Sequence, residues 1–142
     1  EGLEIKQFYS KVALSGQEHM AWQLSSNGFL MTLSNHVPKL IKEEIKNLLE
    51  SSLAQLNLTI DKITDWAIHP GGKNILEAVE HSLGLSHEDL AKSYDVLKNY
   101  GNMSSPTILF VLKEMMQAKK QGNVFAVAFG PGITMESVIL EK

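Results

Sequence analysis

The chain has 142 residues, 44% hydrophobic and 20% charged, the profile of one globular domain with a single sizeable core. A formal net charge of -3 at pH 7 and scattered basic residues exclude a nucleic-acid footprint. Cysteine is absent, which excludes a disulfide framework and a Cys-based metal site, and no apolar run is long enough to cross a bilayer.

The chain opens without methionine, Glu1 running directly into residues 3–14 (LEIKQFYSKVAL), whose spaced apolar and aromatic residues predict a strand. A start inside an element suggests an excised domain or a processed fragment. Ser15-Gly16 breaks that strand. Residues 19–24 and 29–33 read as two short strands around the turn Ser25-Ser26-Asn27-Gly28. Pro38 opens a helix in the first turn, where proline is tolerated. Leu40, Ile41, Ile45, Leu48, Leu49 and Leu53 then form an apolar stripe opposite Lys42, Glu43 and Lys46.

Residues 65–69 (DWAIH) read as a short strand stopped by Pro70-Gly71-Gly72. The next helix turns Ile75, Leu76, Val79 and Leu83 inward and stops at Gly84. Ser86 and Asp89 have the spacing of a capping box for a helix through Leu90, Tyr94 and Leu97 to Gly101. Ser104-Ser105-Pro106 starts another, carrying Ile108, Leu109, Leu112, Met115 and Met116, with Lys119 and Lys120 complementing its dipole and Gln121-Gly122-Asn123 ending it. Residues 124–129 and 133–140 close the chain as two strands joined by Gly130-Pro131-Gly132. This order implies one α/β domain over residues 1–142, a mixed β-sheet covered by helices and ending in an antiparallel hairpin.

Three loops place glycines beside polar groups. His69 stands at the C-terminal end of a predicted strand, just before a helix, where open α/β sheets bind ligands; glycines at 71 and 72 let backbone approach a substrate. Asn102, Ser104 and Ser105 lie between two helices, and Phe129-Gly130-Pro131-Gly132 joins two strands. Singly, each has a plain structural alternative: a turn histidine, a turn asparagine able to adopt an unusual backbone angle, a helix-capping serine, a hairpin connection. The histidines have no metal-ligand spacing, since His81 and His87 are split by Gly84.

Taken in order, IHPGG, YGNMSS and FGPG followed by ITMESVIL resemble the C-terminal pattern of the chalcone synthase-like, type III polyketide synthases. The likeness extends back through NHVPKLIKEEI and spans nearly the whole chain. It implies a thiolase-like half whose missing N-terminal half carries an acylated cysteine, in a homodimeric, cytoplasmic acyltransferase. That enzyme would use acyl-CoA starters and malonyl-CoA, without metal or organic cofactor, and without nucleic-acid or membrane partners. The isolated chain would then be inactive for want of the nucleophile.

The resemblance makes His69 and Asn102 the catalytic donors, and gives Gly71, Ser104, Gly130, Pro131 and Gly132 to substrate binding. A gating phenylalanine of the plant enzymes falls on Met31 and a cavity-lining glycine on Trp22. These either reshape the pocket, which argues against chalcone as product, or are core residues of alternating strands. Ala128 replaces a glycine usual in the plant enzymes. Two other readings stand beside this one. A ketoacyl synthase III-like enzyme would share the asparagine element but not the Pro-Gly-Gly run, and a non-catalytic half could serve dimerisation or scaffolding.

Overall fold

A computed structural model describes residues 2–117 and 121–142; the Lys119-Lys120 run lies outside them. The elements are β1 (Glu4–Val12), β2 (Met20–Ser25), β3 (Gly28–Leu33), α1 (Val37–Ala54), β4 (Ile63–Ile68), α2 (Lys73–Leu83), α3 (Ala91–Tyr100), α4 (Thr107–Gln117), β5 (Asn123–Gly130) and β6 (Thr134–Glu141). Four strands form a sheet in the order β1-β6-β5-β4. β4 and β5 run parallel and the other pairs antiparallel, so the sheet is mixed and its closing hairpin is β5–β6.

Period-two alternation decides what covers each face. Phe125 and Val127 of β5 join Ile41, Ile45, Leu48 and Leu49 of α1 and Leu76 and Val79 of α2 in one core. Val124 and Ala126, between them in sequence, join Val111 and Met115 of α4 and Val96 of α3 in the other. The result is three layers, with the sheet in the middle. Trp66 and Phe125 meet edge-on, ring centroids 5.9 Å apart, an arrangement favoured by opposed ring quadrupoles. The α3/α4 layer reaches Leu140 and Val138 of β6. Phe8 and Val12 of β1 are exposed, as are Leu109 and Met116 of α4.

β2 and β3 stay out of the main sheet and pair only with each other. Their register sets Met20 against Leu33, Trp22 against Met31 and Leu24 against Phe29, three apolar pairs on one face of the ribbon. A two-stranded ribbon is marginal alone. This one is tied at its root, where Ser34 N–H donates to the His19 carbonyl at 2.8 Å and the His19 and His36 rings stack.

The expected helix signals are present. Gly84 takes a left-handed φ of 68 as the C-cap of α2. Ser86 and Asp89 cap each other: both the backbone N–H and the hydroxyl of Ser86 donate to Asp89 Oδ2, and Asp89 N–H donates back to Ser86 Oγ. The turn they open is a 3-10 turn at Glu88–Leu90, which leads into α3.

Ile133 departs from expectation. It sits in the turn between β5 and β6 rather than opening the last strand, with φ 52, a costly angle for a β-branched residue. Tertiary packing holds it there. It is wholly buried, its carbonyl accepts the Ala13 N–H at 3.1 Å, and a Cβ on Gly16 would stand 2.3 Å from its Cγ1. Gly16 therefore does more than break β1: it makes room for Ile133. Gly16→Ala is expected to cost about 2–3 kcal/mol through overpacking, read as a clear fall in Tm. An unchanged Tm would mean that the loop has slack.

Candidate active site

His69 directly follows β4. That strand is at the sheet edge, so the outward Ile68 N–H needs a partner, and it donates to Oγ of the buried Ser93 on α3 at 3.2 Å. His69 N–H extends the parallel ladder to the Val127 carbonyl at 2.9 Å. The chain then turns tightly, Gly71 N–H donating to the His69 carbonyl at 2.9 Å, and α2 begins at Lys73. A Cβ placed on Gly71 would lie 3.9 Å from His69 Nε2, so that ring edge faces a backbone free of side chain.

His69 is 7% exposed, and its buried Nδ1 has no hydrogen-bond partner among the described residues. Burial holds the His69 pKa below the ordinary histidine value of 6.5. At neutral pH the ring is therefore uncharged. As pH falls through 6.5 the unfolded chain binds the proton first, so His69 makes stability decline from that point downward. A His69→Gln variant is expected to lose less Tm than the wild type between about pH 7.5 and pH 5.5. Identical slopes would show that burial does not hold the ring neutral.

Asn102 lies on the loop between α3 and α4. Its backbone is not the unusual one; Gly101 (φ 70) and Ser104 (φ 64) take the left-handed angles. Asn102 Oδ1 accepts the Ser104 N–H at 2.9 Å, and Nδ2 donates to the Gly71 carbonyl at 3.1 Å. A backbone N–H can only donate and a carbonyl can only accept, so these neighbours fix which end of the amide faces which way. One Nδ2 hydrogen is left for a ligand, and the bond to Gly71 ties this loop to the one bearing His69.

Both side chains open onto a cleft of about 970 Å³, whose wall also includes Gly71, Ser104, Gly130, Pro131, Trp22 and Met31. Gly132, assigned to the same wall from the sequence, is not part of it. Its φ of 73 turns the chain toward Ile133 instead. Trp22 and Met31 are cross-strand partners, each about half exposed on the ribbon, so they belong to the cleft and not to the core.

The sequence reading missed Met20 and Leu33, the apolar pair beside them, and Glu136, whose carboxylate accepts a hydrogen bond from Ser10. Alternation along β6 made Glu136 look like an ordinary solvated position. It also missed Thr107, which is wholly buried and bonded to the Asn102 loop. Among the described residues no group of His, Cys, Asp and Glu is placed to hold a metal, and no helix is long and apolar enough to cross a membrane.

A three-layer α/β unit with a histidine at a strand end and an asparagine on a neighbouring loop, both facing one cleft, has the thiolase-like α/β fold. The chain belongs to the chalcone and stilbene synthase family and matches its C-terminal domain over residues 4–142.

It is 35% identical over 141 residues to the alpha-pyrone synthesis polyketide synthase-like protein of Mycobacterium tuberculosis, covering 96% of this chain and 36% of that protein. PKS-I from the brown alga Ectocarpus siliculosus superposes with a TM-score of 0.87 at 31% identity, over 99% of this chain and 39% of that one. The C-terminal type III polyketide synthase domain of Steely1 from Dictyostelium superposes with a TM-score of 0.89 at 26% identity, over 99% and 40%. The chain thus spans little more than a third of the length of these relatives. The resemblance carried by IHPGG, YGNMSS and FGPG is borne out at the level of family and fold.

Proposed function

We propose that this chain supplies the enolate-stabilising half of a type III polyketide synthase active site. The reaction is decarboxylative Claisen condensation of malonyl-CoA onto an acyl group held by a cysteine of the N-terminal half. The observation that carries it is the Asn102–Gly71 hydrogen bond, which leaves one amide hydrogen and the His69 ring on the same cleft.

The bond from the malonyl α-carbon to its carboxylate breaks, carbon dioxide leaves, and the electron pair enters the thioester enolate. Charge gathers on the thioester oxygen, where a neutral imidazole N–H and the Asn102 N–H would each lower the barrier by roughly 3 kcal/mol. The enolate carbon then attacks the acyl carbonyl and the cysteine thiolate departs. A neutral His69 suits the donor role directly. Its second role, holding the cysteine as thiolate, requires the ring to take up the thiol proton within an ion pair that only the assembled enzyme contains.

On this reading the protein needs no metal or organic cofactor, works as a homodimer, and binds acyl-CoA and malonyl-CoA thioesters. The exposed apolar side chains of Phe8 and Val12 on β1, and of Leu109 and Met116 on α4, offer surface suited to burial against the N-terminal half. Trp22 narrows the cavity and Met31 lets it adapt, which disfavours a chalcone-type product. This chain, having no cysteine, supplies no nucleophile of its own.

The test is to incubate the intact protein with malonyl-CoA and a panel of acyl-CoA starters, and to identify products by mass. Release of carbon dioxide and starters lengthened by ketide increments are expected. An intact protein that neither decarboxylates malonyl-CoA nor lengthens any starter would overturn the proposal.

A further inference from the structure

We propose that Thr107 is a positioning residue for Asn102, acting through the left-handed turn at Ser104; the inference rests on the donor role given to Asn102 above. Thr107 is the first residue of α4, and its side chain is wholly buried. Its hydroxyl is fully used in both directions. Oγ1 accepts the Met103 N–H at 2.8 Å and donates to the Ser104 carbonyl at 2.8 Å. The same carbonyl accepts the Thr107 N–H at 3.0 Å.

Ser104, clamped in this way, adopts φ 64, an angle that a side chain bearing a Cβ disfavours. That angle aims the Ser104 N–H at Asn102 Oδ1, 2.9 Å away. With the oxygen so engaged, only the NH2 end of the amide can face Gly71 and the cleft. The order of dependence is therefore Thr107 hydroxyl, Ser104 turn, Asn102 amide orientation, free N–H in the cleft. Without the hydroxyl, the Met103 N–H is orphaned and the Ser104 carbonyl loses one of two donors. The turn then relaxes toward an ordinary angle, the Ser104 N–H swings off Oδ1, and the amide is free to rotate.

Thr107 also has a purely structural possibility, as a helix-starting threonine that only stabilises α4. The two roles differ in what they move. A structural loss would weaken every step of the full-length enzyme together. A positioning loss falls on the step that needs the Asn102 donor.

In the full-length protein, Thr107→Val keeps the shape and removes the hydroxyl. It is expected to lower kcat for malonyl-CoA decarboxylation by about tenfold, with KM little changed and starter loading onto cysteine within about twofold of wild type. Thr107→Ser should restore the rate. In an Asn102→Ala background, Thr107→Val should cost nothing further, because the group it orients is gone.

A wild-type rate in Thr107→Val, a full additional loss in the double variant, or an equal loss of loading and decarboxylation would each overturn the inference. If valine prevents folding, Thr107→Ala carries the same comparison with the same outcomes. Failure of the underlying reading looks different: Asn102→Ala itself would then decarboxylate normally.

Discussion

Replacing His69 by alanine in the full-length protein is expected to lower malonyl-CoA decarboxylation by roughly 100- to 1000-fold, the usual cost of deleting one donor from an oxyanion site. The geometry makes this a test of chemistry rather than of folding. His69 holds its backbone bond to Val127 whatever its side chain, and the ring's Nδ1 makes no bond among the described residues. Deleting the ring removes an unsatisfied buried atom as well as some packing, so the loss of stability should be modest for so buried a residue.

On the proposed mechanism starter loading should fall too, because the cysteine would lose the base that makes it a thiolate, and its loading profile should shift to higher pH. His69→Gln offers an amide N–H near the position of Nε2 and cannot accept the thiol proton. It should keep more decarboxylation than alanine while loading as poorly. Near-normal decarboxylation by His69→Ala, in protein shown to be folded, would remove the imidazole from the mechanism.

Local signals were legible in the sequence wherever one segment decides the outcome. The α1 stripe from Ile41 to Leu53, the left-handed stop at Gly84 and the reciprocal Ser86–Asp89 cap each rest on residues within a few turns of one another. The proposed catalytic pair, His69 and Asn102, is marked only by the order of three loops, and the structure brings two of those loops together by the Asn102–Gly71 bond.

What stayed hidden depends on distant partners. Nothing local says that Gly16 must stay bare to admit Ile133, or that Ile133 will accept a left-handed angle in return for burial. The pairing of β2 with β3 follows from their turn, yet nothing in either segment says that they stay out of the main sheet, where β1 pairs with β6. Thr107 escaped notice because a hydroxyl at a helix start reads as an ordinary cap. Its bonds to Met103 and Ser104 matter only once Asn102 is seen to depend on that turn.

Asn102 gives the sharpest discrimination. Asn102→Ala in the full-length protein should slow decarboxylation by roughly 100-fold while cysteine loading stays near normal, since the proposed role of the amide is toward the enolate and not the thiol. Asn102→Asp should be worse than alanine, for a reason the hydrogen bonds supply. The aspartate would keep one oxygen on the Ser104 N–H, and its other oxygen would replace Nδ2, facing the Gly71 carbonyl with no hydrogen between two acceptors.

The same oxygen would bring a negative charge toward an oxygen that is itself becoming negative in the transition state. A donor is thereby exchanged for a repulsion, whereas alanine only removes the donor and leaves space for water. The expected order is wild type, then alanine, then aspartate, for kcat of decarboxylation measured on protein with unchanged loading. Aspartate at or above alanine would mean that the group at this position does not point an N–H at the enolate oxygen, and the role given to the carboxamide would have to be withdrawn.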